Sequence, residues 1–160
     1  MVLMNLCYKI FNKYCFGNLL PEHVVIEWDN HLTKVSGTTN LLSNSIIVIT
    51  LSQKICNTPY RIRDTILHEM CHIASYIIDG INDYEHGECF GKWTEICRRG
   101  FPKIPQVSKN HSHKKTSKSK DACEECSQEI VDMAFLKICD TCNSNVPCKY
   151  RYEDTYYKII

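Results

Sequence analysis

The N-terminal apolar residues Leu3, Leu6, Cys7, Ile10, Phe11 and Tyr14 recur at the i, i+3, i+4, i+7 spacing of one helix face. Gly17 and Pro21 end that helix. The period then changes. Val24-Val25-Ile26-Glu27-Trp28 is a β-branched run that predicts a strand, and a second strand is expected over Thr33–Gly37. Gly37-Thr38-Thr39-Asn40 reads as turn material. Ser45–Leu51, Ser-Ile-Ile-Val-Ile-Thr-Leu, is the most apolar segment and predicts a mostly buried strand.

The helical period returns after Thr58-Pro59, which has the form of an N-cap and first helical residue, and it runs to a stop at Gly80. Within it Ile62, Ile66, Ile73 and Ile77 form a stripe expected to be buried. Ile81–Gly87 is polar and turn-rich. Glu88–Arg99 predicts a further helix with Phe90, Trp93, Ile96 and Cys97 on one face. Helix, strands, then two helices is an α+β order, with a small sheet packed on helices. Two prolines interrupt Phe101–Pro105. Ser108–Lys120 holds no aliphatic or aromatic residue and is expected to be a flexible linker. A cysteine-rich unit and a tyrosine-rich tail follow.

Charge sharpens this division. The net charge of +1 over 160 residues hides four blocks: −3 over residues 1–97, +8 over 98–120, −5 over 121–148 and +1 over the rest. The positive block is Arg98, Arg99, Lys103, Lys109, Lys114, Lys115, Lys118 and Lys120. Set between acidic neighbours, it is the expected contact for nucleic-acid phosphates, with Tyr150, Tyr152, Tyr156 or Tyr157 able to stack on bases. A solvated linker is the plain alternative. The eleven cysteines could indicate a disulfide scaffold, but Met1–Leu20 has no secretory pattern. No stretch approaches the ~18 apolar residues of a membrane span. An intracellular protein with no membrane partner, acting as a monomer, is expected.

The chemistry centres on His68-Glu69-Met70-Cys71-His72, the pattern H-E-x-x-H. Residues four apart lie on one helix face, so both imidazoles can hold one metal ion. Glu69, about 100° further round, can reach a water on that ion as general base. Such a catalytic zinc takes three protein ligands and keeps one open position. His86 is the preferred third ligand, since the chain can fold back after Gly80; Glu85, Glu88 and Glu95 compete. The second metal signal is Cys123-x-x-Cys126 and Cys139-x-x-Cys142, two knuckles able to close a tetrahedral structural zinc site. Cys148 is a possible substitute ligand. Cys71, Cys89 and Cys97 read as small core residues.

Together these residues resemble the SprT-like metalloprotease family. The matching pieces run in order from Phe11-Asn12-Lys13 and Leu20-Pro21 through Ile26-Glu27-Trp28 and Leu32-Thr33-Lys34-Val35-Ser36-Gly37 to Ile49-Thr50-Leu51-Ser52. Arg61–His72, His86-Gly87-x-x-Phe90-x-x-Trp93 and the two knuckles complete them. Tyr60–Gly80 and Pro102-x-Ile104-Pro105 are most similar to the germ cell nuclear acidic protein branch. The sequence departs at Ile73, where small Ala is usual, and at Asp121-Ala122, where an aromatic residue often precedes the first knuckle.

The resemblance implies a zincin-like minimal metalloprotease domain over 1–105, a basic flexible linker over 106–120, a zinc ribbon over 121–148 and a tail over 149–160. It implies two zinc ions: one catalytic, on His68, His72 and His86 with Glu69 as base, and one structural, on Cys123, Cys126, Cys139 and Cys142. It also implies protein substrates crosslinked to DNA, single-stranded or junction DNA as partner, and a nuclear location if the source is eukaryotic. The rival readings are a zinc peptidase with no nucleic-acid role and a non-catalytic DNA-binding zinc module.

Overall fold

The computed structural model describes residues 2–42, 46–82, 85–101 and 107, together with the strands at 130–132, 137–139 and 145–146. The chain divides into two compact units, residues 1–117 and 118–160.

In the first unit, helix α1 (Val2–Cys15) buries Met4, Cys7, Tyr8, Phe11 and Cys15. Leu3, Leu6 and Ile10 flank that stripe half-buried, whereas Tyr14, expected on the apolar face, is exposed. The helix stops where Gly17 and Asn18 turn left-handed, with φ of +59° and +61°. Asn12 then pins the exit of the chain: its Nδ2 donates to the Leu20 carbonyl and its Oδ1 accepts from the Leu20 N–H.

Three strands form a mixed sheet: β1 (Val25–Asp29), β2 (Gly37–Leu41) and β3 (Ile47–Ser52), in the order β1-β3-β2. β3 is central and buries Ile47, Ile49 and Leu51, as its apolar run predicts. It pairs parallel with β1 (Ile26 opposite Ile49) and antiparallel with β2 (Thr39 opposite Ile49).

The second strand does not lie where the pattern placed it. Thr33–Ser36 is irregular, and the strand begins at Gly37, running through the expected turn. Two physical reasons account for this. Ser52 captures the preceding segment, its Oγ donating to the Leu32 carbonyl and its N–H to the Ser36 carbonyl. Gly37 serves close packing rather than a turn, since a Cβ there would stand 2.6 Å from Thr65 Cγ2.

Helix α2 (Pro59–Ile77) follows its sequence signals closely. Thr58 Oγ1 accepts from the Arg61 N–H at the N-cap, and beyond the C-cap Gly80 turns left-handed with φ of +70°. Ile66, Leu67, Met70, Cys71, Ile73 and Ala74 are buried; Ile62 is half-buried and Ile77 exposed, at the two ends of the stripe. Helix α3 (Glu88–Gly100) buries Phe90, Trp93 and Cys97, with Ile96 and Cys89 half-buried. Trp93 packs on Phe16 and Phe101 on Phe11, so rings from the middle of α3 and from its C-terminal end reach the α1 side.

The second unit contains β4 (Ile130–Asp132), β5 (Lys137–Cys139) and β6 (Asn145–Val146), all antiparallel in the order β4-β5-β6. Ile130 lies opposite Cys139, and Lys137 opposite Val146. Cys139 thus ends a central strand. Cys123, Cys126, Cys142 and Cys148, and the tail tyrosines, lie outside the described residues.

Candidate metal centre

Helix α2 stacks His68 and His72 one turn apart, and the loop before α3 brings His86 to them. The three Nε2 atoms form a triangle with sides of 3.2, 3.1 and 3.0 Å. A neutral imidazole nitrogen either carries a proton or offers a lone pair. Each side of a triangle of hydrogen bonds would need one donor and one acceptor, and three corners cannot alternate two roles. Three lone pairs directed at one cation remove the conflict. Tetrahedral ligands about 2.0–2.1 Å from zinc lie roughly 3.3 Å apart, close to the observed sides. Phe90, fully buried, lays its ring against all three imidazoles with centroid separations of 4.9, 4.6 and 4.6 Å.

The loop carrying His86 is held at its base. Asp79 accepts from Lys92 Nζ and from Trp93 Nε1, both at 2.7 Å, tying the end of α2 to the start of α3. Burial pushes the Asp79 carboxyl up, but these two hydrogen bonds and the Lys92 charge outweigh it and hold the group below its ordinary range. His86 itself is left-handed, with φ of +57°. The left-handed turn therefore falls on His86 itself, while Gly87 is the N-cap of α3 and its carbonyl accepts from the Gly91 N–H. A left-handed non-glycine residue costs about 1–2 kcal/mol, so the loop needs its anchor.

Asp79→Ala should leave the Trp93 indole N–H without its acceptor and cost about 1–3 kcal/mol, read as a lower melting temperature. The sign with pH follows from the lowered carboxyl. The contribution is present above the unfolded value near about 3.9 and is lost as pH falls through the lower folded value. The melting-temperature difference between wild type and Asp79→Ala should therefore shrink in strong acid to what a neutral carboxyl, still able to accept from Trp93, contributes.

Glu69 directly follows the first ligand and is 2% exposed. Its Oε2 accepts from Thr39 Oγ1 at 2.9 Å, and its Oε1 has no hydrogen-bond partner. Burial pushes the carboxyl up to about 7, with the Thr39 hydrogen bond pulling the other way. Three convergent imidazole nitrogens, with a buried carboxylate at the residue after His68 that keeps one unfilled oxygen, are a donor set that fits zinc and a water.

Among the described residues the convergent metal-ligating group is His68, His72 and His86, all within 4.8 Å. Of the competing carboxylates, Glu95 is turned away onto Arg98 and Arg99, at 2.7 and 3.1 Å. Those two arginines are the only members of the positive block among the described residues; Lys103, Lys109, Lys114, Lys115, Lys118 and Lys120 lie outside them. Sequence reasoning missed Thr39, Asp79 and the role of Phe90. The adjacent β-branched Thr38 and Thr39 were the available signal for a strand, and hence for Thr39 reaching Glu69.

Two histidines on one helix, a third from the next loop and a buried glutamate next to the first of them in the chain form a candidate metal site on a small α+β scaffold. The chain belongs to the SprT-like family, whose model matches residues 4–113. It is 33% identical over 145 residues to the germ cell nuclear acidic protein of Homo sapiens, covering 87% of this chain and 20% of that protein. It is 29% identical over 123 residues to the germ cell nuclear acidic-1 protein of Caenorhabditis elegans, covering 76% of this chain and 23% of that one. An HMG box-containing protein of Schizosaccharomyces pombe is 28% identical over 131 residues, covering 75% of this chain and 36% of that one. The chain thus spans between about a fifth and about a third of the length of these three relatives. The family is generally metalloprotease-like and typically zinc-dependent. No helix among the described residues is long and apolar enough to cross a membrane.

Proposed function

We propose that this chain is a zinc endopeptidase that acts on proteins crosslinked to DNA. The observation that carries the hydrolytic reading is the three-histidine triangle together with the unfilled Oε1 of Glu69, the residue that follows His68. A purely structural zinc has no need of a buried base at its side. His68, His72 and His86 would hold the metal. Zinc bound there supplies Lewis acidity toward a water and a peptide carbonyl.

The chain's own residues do the rest. Glu69 takes the proton of the attacking water at Oε1, the oxygen left without a partner, and returns it to the leaving amine. Phe90 backs the imidazoles and keeps water from their inner side. An extended substrate adds as a strand to the outer edge of β2, which lies at the rim of the sheet next to Glu69. Backbone pairing of this kind recognises any peptide, so selectivity has to come from where the enzyme is brought.

DNA supplies that control in this reading, through the positive block and the tail tyrosines. The names of the relatives, nuclear and HMG box-containing, agree with a nuclear, DNA-related setting. The second unit would be a zinc ribbon on Cys123, Cys126, Cys139 and Cys142, making two zinc ions per chain. One observation favours a peptidase without a DNA role: the first two cations of the block are already paired with Glu95. Exposed pairs of this sort are worth at most about 1 kcal/mol, so phosphates can displace them.

The test is cleavage of a DNA-binding protein with and without single-stranded DNA, with stimulation expected. Lys114→Gln, Lys115→Gln, Lys118→Gln and Lys120→Gln combined should weaken that stimulation and flatten the salt dependence of DNA binding. About four phosphate contacts would give a log–log slope near −3 in the wild type. Cleavage of a small peptide should stay nearly unchanged. Wild-type DNA affinity and slope in the quadruple variant would reduce the block to a linker.

A further inference from the structure

Strand β2 and helix α2 meet where a period of two faces a period of four. Gly37 and Thr39, two apart, lie on one face of the strand; Thr65 and Glu69, four apart, lie on one face of the helix. The contact is close. A Cβ on Gly37 would stand 3.1 Å from Glu69 Oε1 and 3.3 Å from its Cγ, so the bare Cα of Gly37 walls the carboxylate on one side. From the same strand face, Thr39 Oγ1 donates to Oε2 at 2.9 Å. The two carboxylate oxygens are therefore unequal: one is held by a hydroxyl, and the other has no hydrogen-bond partner.

We propose that Thr39 is a positioning residue for peptide hydrolysis, its hydroxyl holding Glu69 in the one orientation from which Oε1 can serve as base. The inference rests on the protease reading and adds a residue to it. A glutamate side chain has three rotatable bonds, and in a site this tight a small rotation would turn the carboxylate away from the attacking water. Gly37 limits movement by close contact at Oε1 and Cγ, and Thr39 tethers Oε2 by a directional bond. Because Thr39 sits on β2, the strand expected to pair with substrate is also the strand that orients the base.

The test uses the full zinc-loaded chain and three substitutions. Thr39→Val keeps the shape and removes the hydroxyl, Thr39→Ala removes it without adding a methyl, and Thr39→Ser restores it. Four readouts are needed: kcat and KM on an internally quenched peptide, zinc content, melting temperature, and affinity for a small hydroxamate. A hydroxamate bound at the metal shares its hydroxyl proton with the base carboxylate, so its affinity reports the orientation of Glu69 without turnover. Loss of a supporting hydrogen bond of this kind lowers activity by about 10–100-fold. Thr39→Val and Thr39→Ala should show that loss in kcat and a parallel loss in hydroxamate affinity, with KM and zinc content unchanged. Thr39→Ser should return close to wild type.

Wild-type kcat and hydroxamate affinity in both Thr39→Val and Thr39→Ala would overturn the proposal. So would a Thr39→Ser chain as impaired as Thr39→Val, because the hydroxyl would then not be the operative group. A wild type that holds zinc but cleaves no peptide would instead overturn the protease reading, while hydroxamate affinity would still decide the role of Thr39.

Discussion

Glu69→Gln should keep the fold and the zinc of the three-histidine centre while lowering peptide cleavage by about 10²–10⁴-fold, the usual worth of a positioned general base. Glutamine is nearly isosteric, and its amide oxygen can still accept from Thr39 in place of Oε2. What it lacks is a lone pair basic enough to take a proton at the other position. The substitution also removes a carboxyl that burial pushes up to about 7. With the metal stripped from both, the melting temperature of Glu69→Gln should therefore equal or exceed that of the wild type. Loss of activity together with loss of fold or zinc would show that Glu69 holds the structure rather than the proton.

His86→Ala should have the next largest effect, and on different quantities. Removing one corner of a triangle with sides of 3.0–3.2 Å leaves two helical nitrogens and a gap where the third imidazole stood. Loss of an outer-sphere partner alone lowers metal affinity by about 10–100-fold, and a direct ligand should cost more. Zinc content after dialysis against a weak chelator should fall, and cleavage with it. The second unit, if it is a ribbon, should keep its own zinc. Unchanged occupancy at the first site would pass the third-ligand role to Glu85 or Glu88, since Glu95 is engaged by Arg98 and Arg99.

How much of this could be read beforehand depended on the range of the interaction that decides each feature. Helix α2 was legible because its signals are local: a threonine cap, a proline at the first position, two histidines four apart and a glycine stop. β3 was legible because five of its residues are β-branched or leucine in an unbroken run. His86 could be preferred from the turn at Gly80, although the left-handed backbone at the histidine itself follows only from how the loop is anchored by Asp79. β2 was misplaced for a long-range reason. Gly37 carries the local mark of a turn, but its true role is to admit Thr65 and Glu69 of a helix nearly thirty residues later. With Thr39 assigned to that turn, its hydrogen bond to the base could not be seen. The stripe of α1 was shifted in the same way. Tyr14 fits the helical period, yet the surface it meets lets its ring edge onto Phe101 while remaining 54% exposed.

The proposed zinc-dependent endopeptidase activity of the three histidines and Glu69 is tested by cleavage of an unstructured protein by chelator-stripped chain before and after zinc is restored, with fragments mapped by mass spectrometry. No cleavage is expected from the stripped chain, and internal cuts once zinc returns. Restored zinc bound by the histidines with no internal cut, or equal cutting by stripped and loaded chain, would contradict the proposal.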